Sequence, residues 1–267
     1  MRRLKKFGLL LLFLFMVAST LLYVLQEKII FLPTSLPQDY EYSFSEPFEE
    51  FFLESQDGAR LNALHFKRTA PRGVILYFHG NAGDLSRWGA IATYFVKENF
   101  DVIIMDYRGY GKSTGTLGEQ QLFSDAQLFY DYTKRHYQES DIIIYGRSLG
   151  GAIATELASK NTPRHLLLET PFYNLYDVAK DRFSMLPLKY LLKYRFPSNE
   201  YIQKVKAPIA IFHGTEDSVV SFESGKRLYE AAPGKKQFYT IDGGEHNNLI
   251  EYASYREALA QELSRTE

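Results

Sequence analysis

The chain contains no cysteine. That absence excludes a disulfide scaffold, a thiolate metal site, a thiol nucleophile and a lipidated cysteine anchor. It leaves the compartment open, because a large domain persists in an oxidising space without disulfides. Also missing are a G-x-x-x-x-G-K-[ST] phosphate loop, a G-x-G-x-x-G after a first strand, an H-E-x-x-H pair and an Asp-rich calcium loop. There is no internal repeat and no low-complexity linker. Nor is there an excess of either charge: 31 Lys and Arg stand against 32 Asp and Glu. Charged residues make up only 24% and aromatics reach 15%, which rules out a disordered chain. At 267 residues the sequence is one large domain or two small ones, with ample chain for a core.

The balanced charge is unevenly distributed. Arg2, Arg3, Lys5 and Lys6 precede a run, Phe7 to Leu25, with no charge at all. As a helix, that run reaches about 28 Å, close to the hydrocarbon thickness of a bilayer. Residues 1–28 therefore read as a signal anchor, single-pass, with residues 29–267 on the non-cytoplasmic side. A secreted body after signal cleavage at Val17-Ala18-Ser19 is the alternative. The apolar run continues through Leu21, Leu22 and Val24, longer than a usual signal core, and favours the uncleaved anchor. A buried core helix fits poorly, because the run is apolar on all faces. Without the four leading cations the remainder carries −5, which argues against a nucleic-acid partner.

From about residue 47, short apolar runs alternate with helical patterns. Val74–Phe78, Val102–Met105, Ile142–Tyr145, Leu166–Leu168 and Ile209–Phe212 are hydrophobic without alternation, as strands covered on both faces are. Helices are expected over Glu119–Tyr137, Leu149–Lys160 and Leu249–Ser264. An antiparallel pair, Glu49–Glu54 and Arg60–Lys67, opens the domain, and Phe238–Ile241 reads as a last strand. This is βαβ spacing, whose right-handed crossovers gather loops at the strands' carboxyl ends. Between Glu169 and Pro208 the alternation stops. The segment holds Phe183, Met185, Leu186, Leu188, Leu191, Leu192 and Phe196, and a connection of that length usually covers a site.

Three loops carry the chemistry. Gly146-Arg147-Ser148-Leu149-Gly150 lies between a strand and a helix, the setting of a nucleophile elbow, where only small residues fit two before and two after the serine. A serine of ordinary acidity is a poor nucleophile and needs a base oriented by an acid. His246 follows the last strand in a loop opened by Gly243-Gly244 and is the expected base. His65, His136 and His165 lie in or at the ends of elements, and His79 and His213 end core strands. Asp217, after the strand ending in His213-Gly214, is the expected acid, giving the chain order Ser148, Asp217, His246. Glu216 is a neighbouring alternative and Glu169, ending the preceding strand, a more serious one. An oxyanion needs backbone N–H donors. They are expected from Leu149 and from Asn81 in the loop His79-Gly80-Asn81-Ala82-Gly83-Asp84, with Ala82 close behind.

Together these motifs resemble the α/β-hydrolase superfamily. GRSLGG, HGNAGD, DYRGYGKS, HGTEDSVV and GGEHNNL occur in family order, over roughly residues 48–264. The resemblance implies an α/β fold with a mostly parallel eight-stranded sheet, helices on both faces and a helical cap, here about 171–206, after strand 6. It implies acyl transfer without a cofactor. The expected activity is a serine hydrolase cleaving a carboxylic ester or related acyl bond, thioester or lipid ester. An aminopeptidase-like amide hydrolase and a non-catalytic hydrolase-fold binding protein are the alternatives. The Asp106–Gly111 segment is expected to shape a loop beside the pocket. The expected partners are a small-molecule or lipid acyl substrate and, through the anchor, a membrane; nothing specifies an oligomeric state. Residues 180–206 carry seven cations against Asp181 and Glu200, a net of +5. A lid with apolar groups inward and charges outward is favoured over a membrane-seated one for that segment.

Overall fold

The computed structural model describes residues 2–180, 183 and 185–265. Asp181 and Arg182, counted above in the basic segment, lie outside those residues. The body is an eight-stranded sheet: β1 (Phe48–Glu54), β2 (Arg60–Phe66), β3 (Val74–Phe78), β4 (Asp101–Met105), β5 (Ile142–Arg147), β6 (His165–Glu169), β7 (Ile209–Gly214) and β8 (Lys236–Ile241). The spatial order is β8-β7-β6-β5-β3-β4-β2-β1. Pairing is parallel from β4 through β8, and β2 alone runs against its neighbours. The α/β, mostly parallel architecture expected from the sequence is thus the one observed.

The unalternating runs are explained by cover on both faces. Leu76, Ile103, Ile144, Leu168 and Ile211 pack with α3 (Glu119–Lys134), α4 (Leu149–Ala158) and α8 (Phe222–Ala231). The alternate residues Ile75, Tyr77, Ile143, Leu167 and Phe212 face α2 (Leu85–Lys97) and α9 (Ala253–Ser264). With no wet face these runs are apolar at every position, whereas the edge strands β1 and β8 keep exposed, polar positions. The closing helix is shorter than its pattern predicts. A 3-10 turn, Leu249–Glu251, precedes α9, and Tyr252 is extended between them, its hydroxyl donating to the Gly243 carbonyl at 2.6 Å. Tertiary contact with the histidine loop therefore breaks the helix. Likewise α3 stops at Lys134, leaving Tyr137 free to donate to Asp101 at 2.5 Å.

Between β6 and β7 the described residues form three short α-helices, α5 (Leu175–Lys180), α6 (Leu188–Leu191) and α7 (Ser198–Tyr201). The N-terminal helix, α1 (Arg2–Ile30), is the one helix among the described residues long and apolar enough to cross a membrane. From Leu4 to Val17 its large apolar side chains are exposed. A hydrophobic surface of that extent does not face water in a stable soluble domain. Its last turns behave differently: Leu22 and Gln26 are buried, as is Phe31 just beyond. Immediately after, Leu32–Pro33 runs parallel to Ala82–Gly83.

Candidate active site

Strand β5 ends at Arg147 and α4 begins at Leu149, so Ser148 must turn the chain alone. It does so at φ 52° and ψ −115°, a conformation that costs a non-glycine residue about 1–3 kcal/mol. The turn closes because the flanking positions lack side chains. A Cβ on Gly146 would lie 2.4 Å from the Gly150 carbonyl oxygen, and one on Gly150 would lie 2.1 Å from that of Phe78. The serine hydroxyl thereby projects from the sheet's carboxyl edge.

The Ser148 Oγ lies 3.0 Å from His246 Nε2. On the other side of the ring, His246 Nδ1 donates to Asp217 Oδ2 at 2.7 Å. The other Asp217 oxygen, Oδ1, accepts from the backbone N–H groups of Val219 and Val220 at 2.9 and 2.8 Å. His213 Nε2 stands 3.3 Å from Asp217 Oδ2 and donates to the Val220 carbonyl at 3.0 Å. Burial alone would raise the Asp217 carboxyl. The hydrogen bonds from His213 and His246 and the nearby imidazole outweigh it, holding Asp217 well below the usual carboxylate range. The group stays an acceptor at neutral pH.

Glu169, the rival acid, is engaged elsewhere. Its Oε1 pairs with Arg147 Nε at 3.1 Å, and its Oε2 accepts from the hydroxyls of Tyr255, at 2.6 Å, and Tyr145. Arg147 then bridges onward, donating through Nη2 to the His246 carbonyl at 3.1 Å and to Asn247 Oδ1 at 3.0 Å. The residue between Gly146 and Ser148 thus braces the backbone of the histidine loop. Glu216 makes a backbone bond to Gly244 within the same pair of loops.

Asn81 and Leu149 border the same apolar cleft as Ser148. Among the described residues nothing accepts from the backbone N–H of either. The carbonyl and the side-chain nitrogen of Asn81 are committed. Its carbonyl accepts from Leu32 N–H at 2.9 Å and from Tyr110 Oη at 2.8 Å, and its side-chain amide donates to the Ile30 carbonyl at 2.9 Å. Tyr107 holds the His79 carbonyl in the same way, at 2.7 Å. The Asp106–Gly111 segment does therefore shape the loop beside the cleft. His79 lies inside the loop's base, stacked on Trp88 and 3.5 Å from Asp106. Arg147, Gln26 and the end of α1 were not legible as site residues, since each reaches the site through contacts distant in sequence, and His213 was not because a histidine that ends a core strand gives no sign of which way its ring turns.

The model of the Hydrolase_4 family, described as serine aminopeptidase, S33, matches residues 69–199 and 197–253. The chain belongs to the α/β-hydrolase superfamily. The hydrolase is 33% identical over 236 residues to human alpha/beta hydrolase domain-containing protein 17C, covering 85% of this chain and 69% of that one. It is 31% identical over 253 residues to an uncharacterized protein of Mycobacterium tuberculosis, covering 92% and 90% of the two chains. The Pyrococcus furiosus esterase Pf2001 superposes with a TM-score of 0.68 at 18% identity, over 86% of the hydrolase and 96% of the esterase. That last likeness concerns the fold.

Proposed function

We propose that the hydrolase cleaves a carboxylic ester or closely related acyl bond through Ser148, His246 and Asp217, with the Leu149 and Asn81 amides as oxyanion donors. The unbroken relay from Ser148 Oγ through the His246 ring to Asp217 carries this reading. His246 Nε2 takes the Ser148 proton as Oγ bonds to the acyl carbon. The carbonyl electrons move onto oxygen, where the two free N–H groups stabilise them. Collapse breaks the bond to the leaving group, which departs with that proton. Water, deprotonated by His246, then attacks the acyl-enzyme and releases the acid, and the proton returns to Ser148. Asp217 stays ionised and steadies the imidazolium formed at each step.

The substrate is proposed to be a small-molecule or lipid acyl compound, because apolar side chains dominate the cleft beside Ser148. The family's description keeps an aminopeptidase reading in view. An aminopeptidase needs a carboxylate to hold the substrate's amine, and among the described residues none borders this cleft. Ester chemistry is therefore the better fit. A single-pass anchor through α1, with the hydrolase body on the non-cytoplasmic side, is proposed from the exposed apolar face of α1 and the cations before it.

Hydrolysis of p-nitrophenyl acetate by the full chain tests the reading. Ser148→Ala should abolish turnover and labelling by a fluorophosphonate while circular dichroism stays unchanged. Turnover that survives the substitution overturns it.

A further inference from the structure

One wall of the cleft comes from α1. Leu22, Gln26, Ile29 and Ile30 line it together with Ser148 and with Leu188 and Leu192 of the segment between β6 and β7. The spacing i, i+4, i+7, i+8 is one helical stripe. Within the stripe Leu22 and Gln26 are buried, Ile30 is half-buried and Ile29 is 48% exposed, and Leu21, Val24 and Leu25 of the same turns are exposed around it. The polar member of the stripe is neutralised in place. Gln26 Nε2 donates to the Leu191 carbonyl at 3.1 Å and Oε1 accepts from Lys193 N–H at 2.7 Å, so only its methylenes face the space. These bonds also clamp α1 to the segment above the site. Asn81, which borders Ser148, is tied to the Ile30 carbonyl from below.

The level of this wall along α1 is that of a membrane interface. Lys193 Nζ sits 4.8 Å over the Tyr23 ring and 4.0 Å from Glu27, an aromatic and charged belt whose two α1 residues directly follow Leu22 and Gln26. Tyr190, adjacent to the carbonyl that Gln26 holds, and Met185 are 87% and 90% exposed, far more than any large apolar residue of the sheet and its helices. The exposed apolar length of α1 thus leads into the turns that line the cleft with Ser148.

We propose that the last turns of α1 form a wall of the acyl site, and that the substrate is an amphiphile whose acyl chain passes from the lipid layer along α1 to Ser148. The proposal rests on the serine-hydrolase reading of Ser148. The lipid layer is the source because four residues of the exposed apolar helix line the cleft and, among the described residues, no charged side chain does. In this arrangement the anchor selects substrate as well as tethering the enzyme.

Full-length enzyme in phosphatidylcholine vesicles tests this with p-nitrophenyl dodecanoate and p-nitrophenyl acetate. The ratio of their kcat/KM values is the readout. Leu22→Trp and Ile29→Trp fill the slot and should lower the dodecanoate-to-acetate ratio about 10-fold, the share that roughly two lost methylene contacts carry. Val24→Trp, on the exposed face of the same turns, should leave the ratio as in wild type. Where a tryptophan variant fails to label with a short-chain fluorophosphonate, Leu22→Phe and Ile29→Phe make the same comparison. A ratio unmoved by the slot variants, or moved equally by Val24→Trp, overturns the wall. The dodecanoate rate should follow the ester's mole fraction in the vesicles; a rate that follows bulk concentration instead overturns the lipid route. Failure of the underlying reading is seen separately, as acetate turnover that survives Ser148→Ala.

Discussion

The side-chain amide of Asn81 donates to the carbonyl of Ile30, the last residue of the N-terminal helix, at 2.9 Å. The adjoining Leu32 N–H returns a bond to the Asn81 carbonyl, also at 2.9 Å. The loop that carries a proposed oxyanion donor is therefore strapped to the end of α1 by the two peptide units that flank Phe31. An amide aimed by such a strap needs no reorganisation when charge develops beside it, and preorganised donors of this kind contribute much of an acyl-transfer enzyme's rate.

Asn81→Ala removes the strap's side-chain half and leaves the backbone donor. A net hydrogen bond contributes about 1 kcal/mol, so kcat on p-nitrophenyl acetate should fall about 5-fold. Steady-state kinetics on the full chain checks this. An unchanged kcat would mean that the loop holds its shape without Ile30.

The two candidate acids should separate cleanly. Asp217→Asn leaves the imidazole in the wrong tautomer, and kcat should drop on the order of 10⁴-fold. Glu169→Gln should retain activity within about tenfold but strand a buried Arg147, costing about 3 kcal/mol or more of stability. Kinetics and chemical denaturation, measured side by side, give both numbers. Equal loss of activity in the two variants would contradict the assignment of Asp217.

Arg147→Lys keeps a cation but loses the planar fork that joins Glu169 to the His246 carbonyl and Asn247. The histidine loop should loosen, with kcat falling between about 10- and 100-fold. A positioning role predicts that KM for acetate stays near wild type while fluorophosphonate labelling slows. A change confined to KM would instead assign Arg147 to binding.

Acid should weaken the fold before it removes the Asp217 charge. Burial pushes the His65 and His165 imidazoles down from 6.5 to about 4. The unfolded chain therefore binds more protons than the native one between those values, and stability falls as pH drops through that window. The melting temperature should decline from pH 7 toward pH 4.5, and His65→Asn with His165→Asn should flatten the decline. A melting temperature that does not vary across the window would sink the argument.

Particular elements explain how much was legible. The strands from Val74, Asp101, Ile142 and Ile209 were plain because burial on both faces forbids polar alternation. Gly146, Ser148 and Gly150 were plain because a tight turn between a strand and a helix marks the elbow locally, although the carbonyl that crowds Gly150 is that of Phe78 on a neighbouring strand. The closing helix was misread at Tyr252, whose tether to Gly243 lies in the folded molecule alone. Asp217 and Glu169 were both open because two successive strand ends can each point an acid toward a loop.

By itself the sequence determined the order of strands and helices, the elbow serine, the loop histidine and an N-terminal helix too apolar for water. All of these follow from the size, polarity and spacing of near neighbours. Only the tertiary structure decided that Asp217 meets His246 while Glu169 is spent on Arg147 and two tyrosines. Only it brought Ile30 to Asn81, 51 residues away, and Gln26 to Lys193, 167 residues away. No local pattern carries such pairings, because they arise where separately folded segments are forced together by the burial of the sheet between its helices.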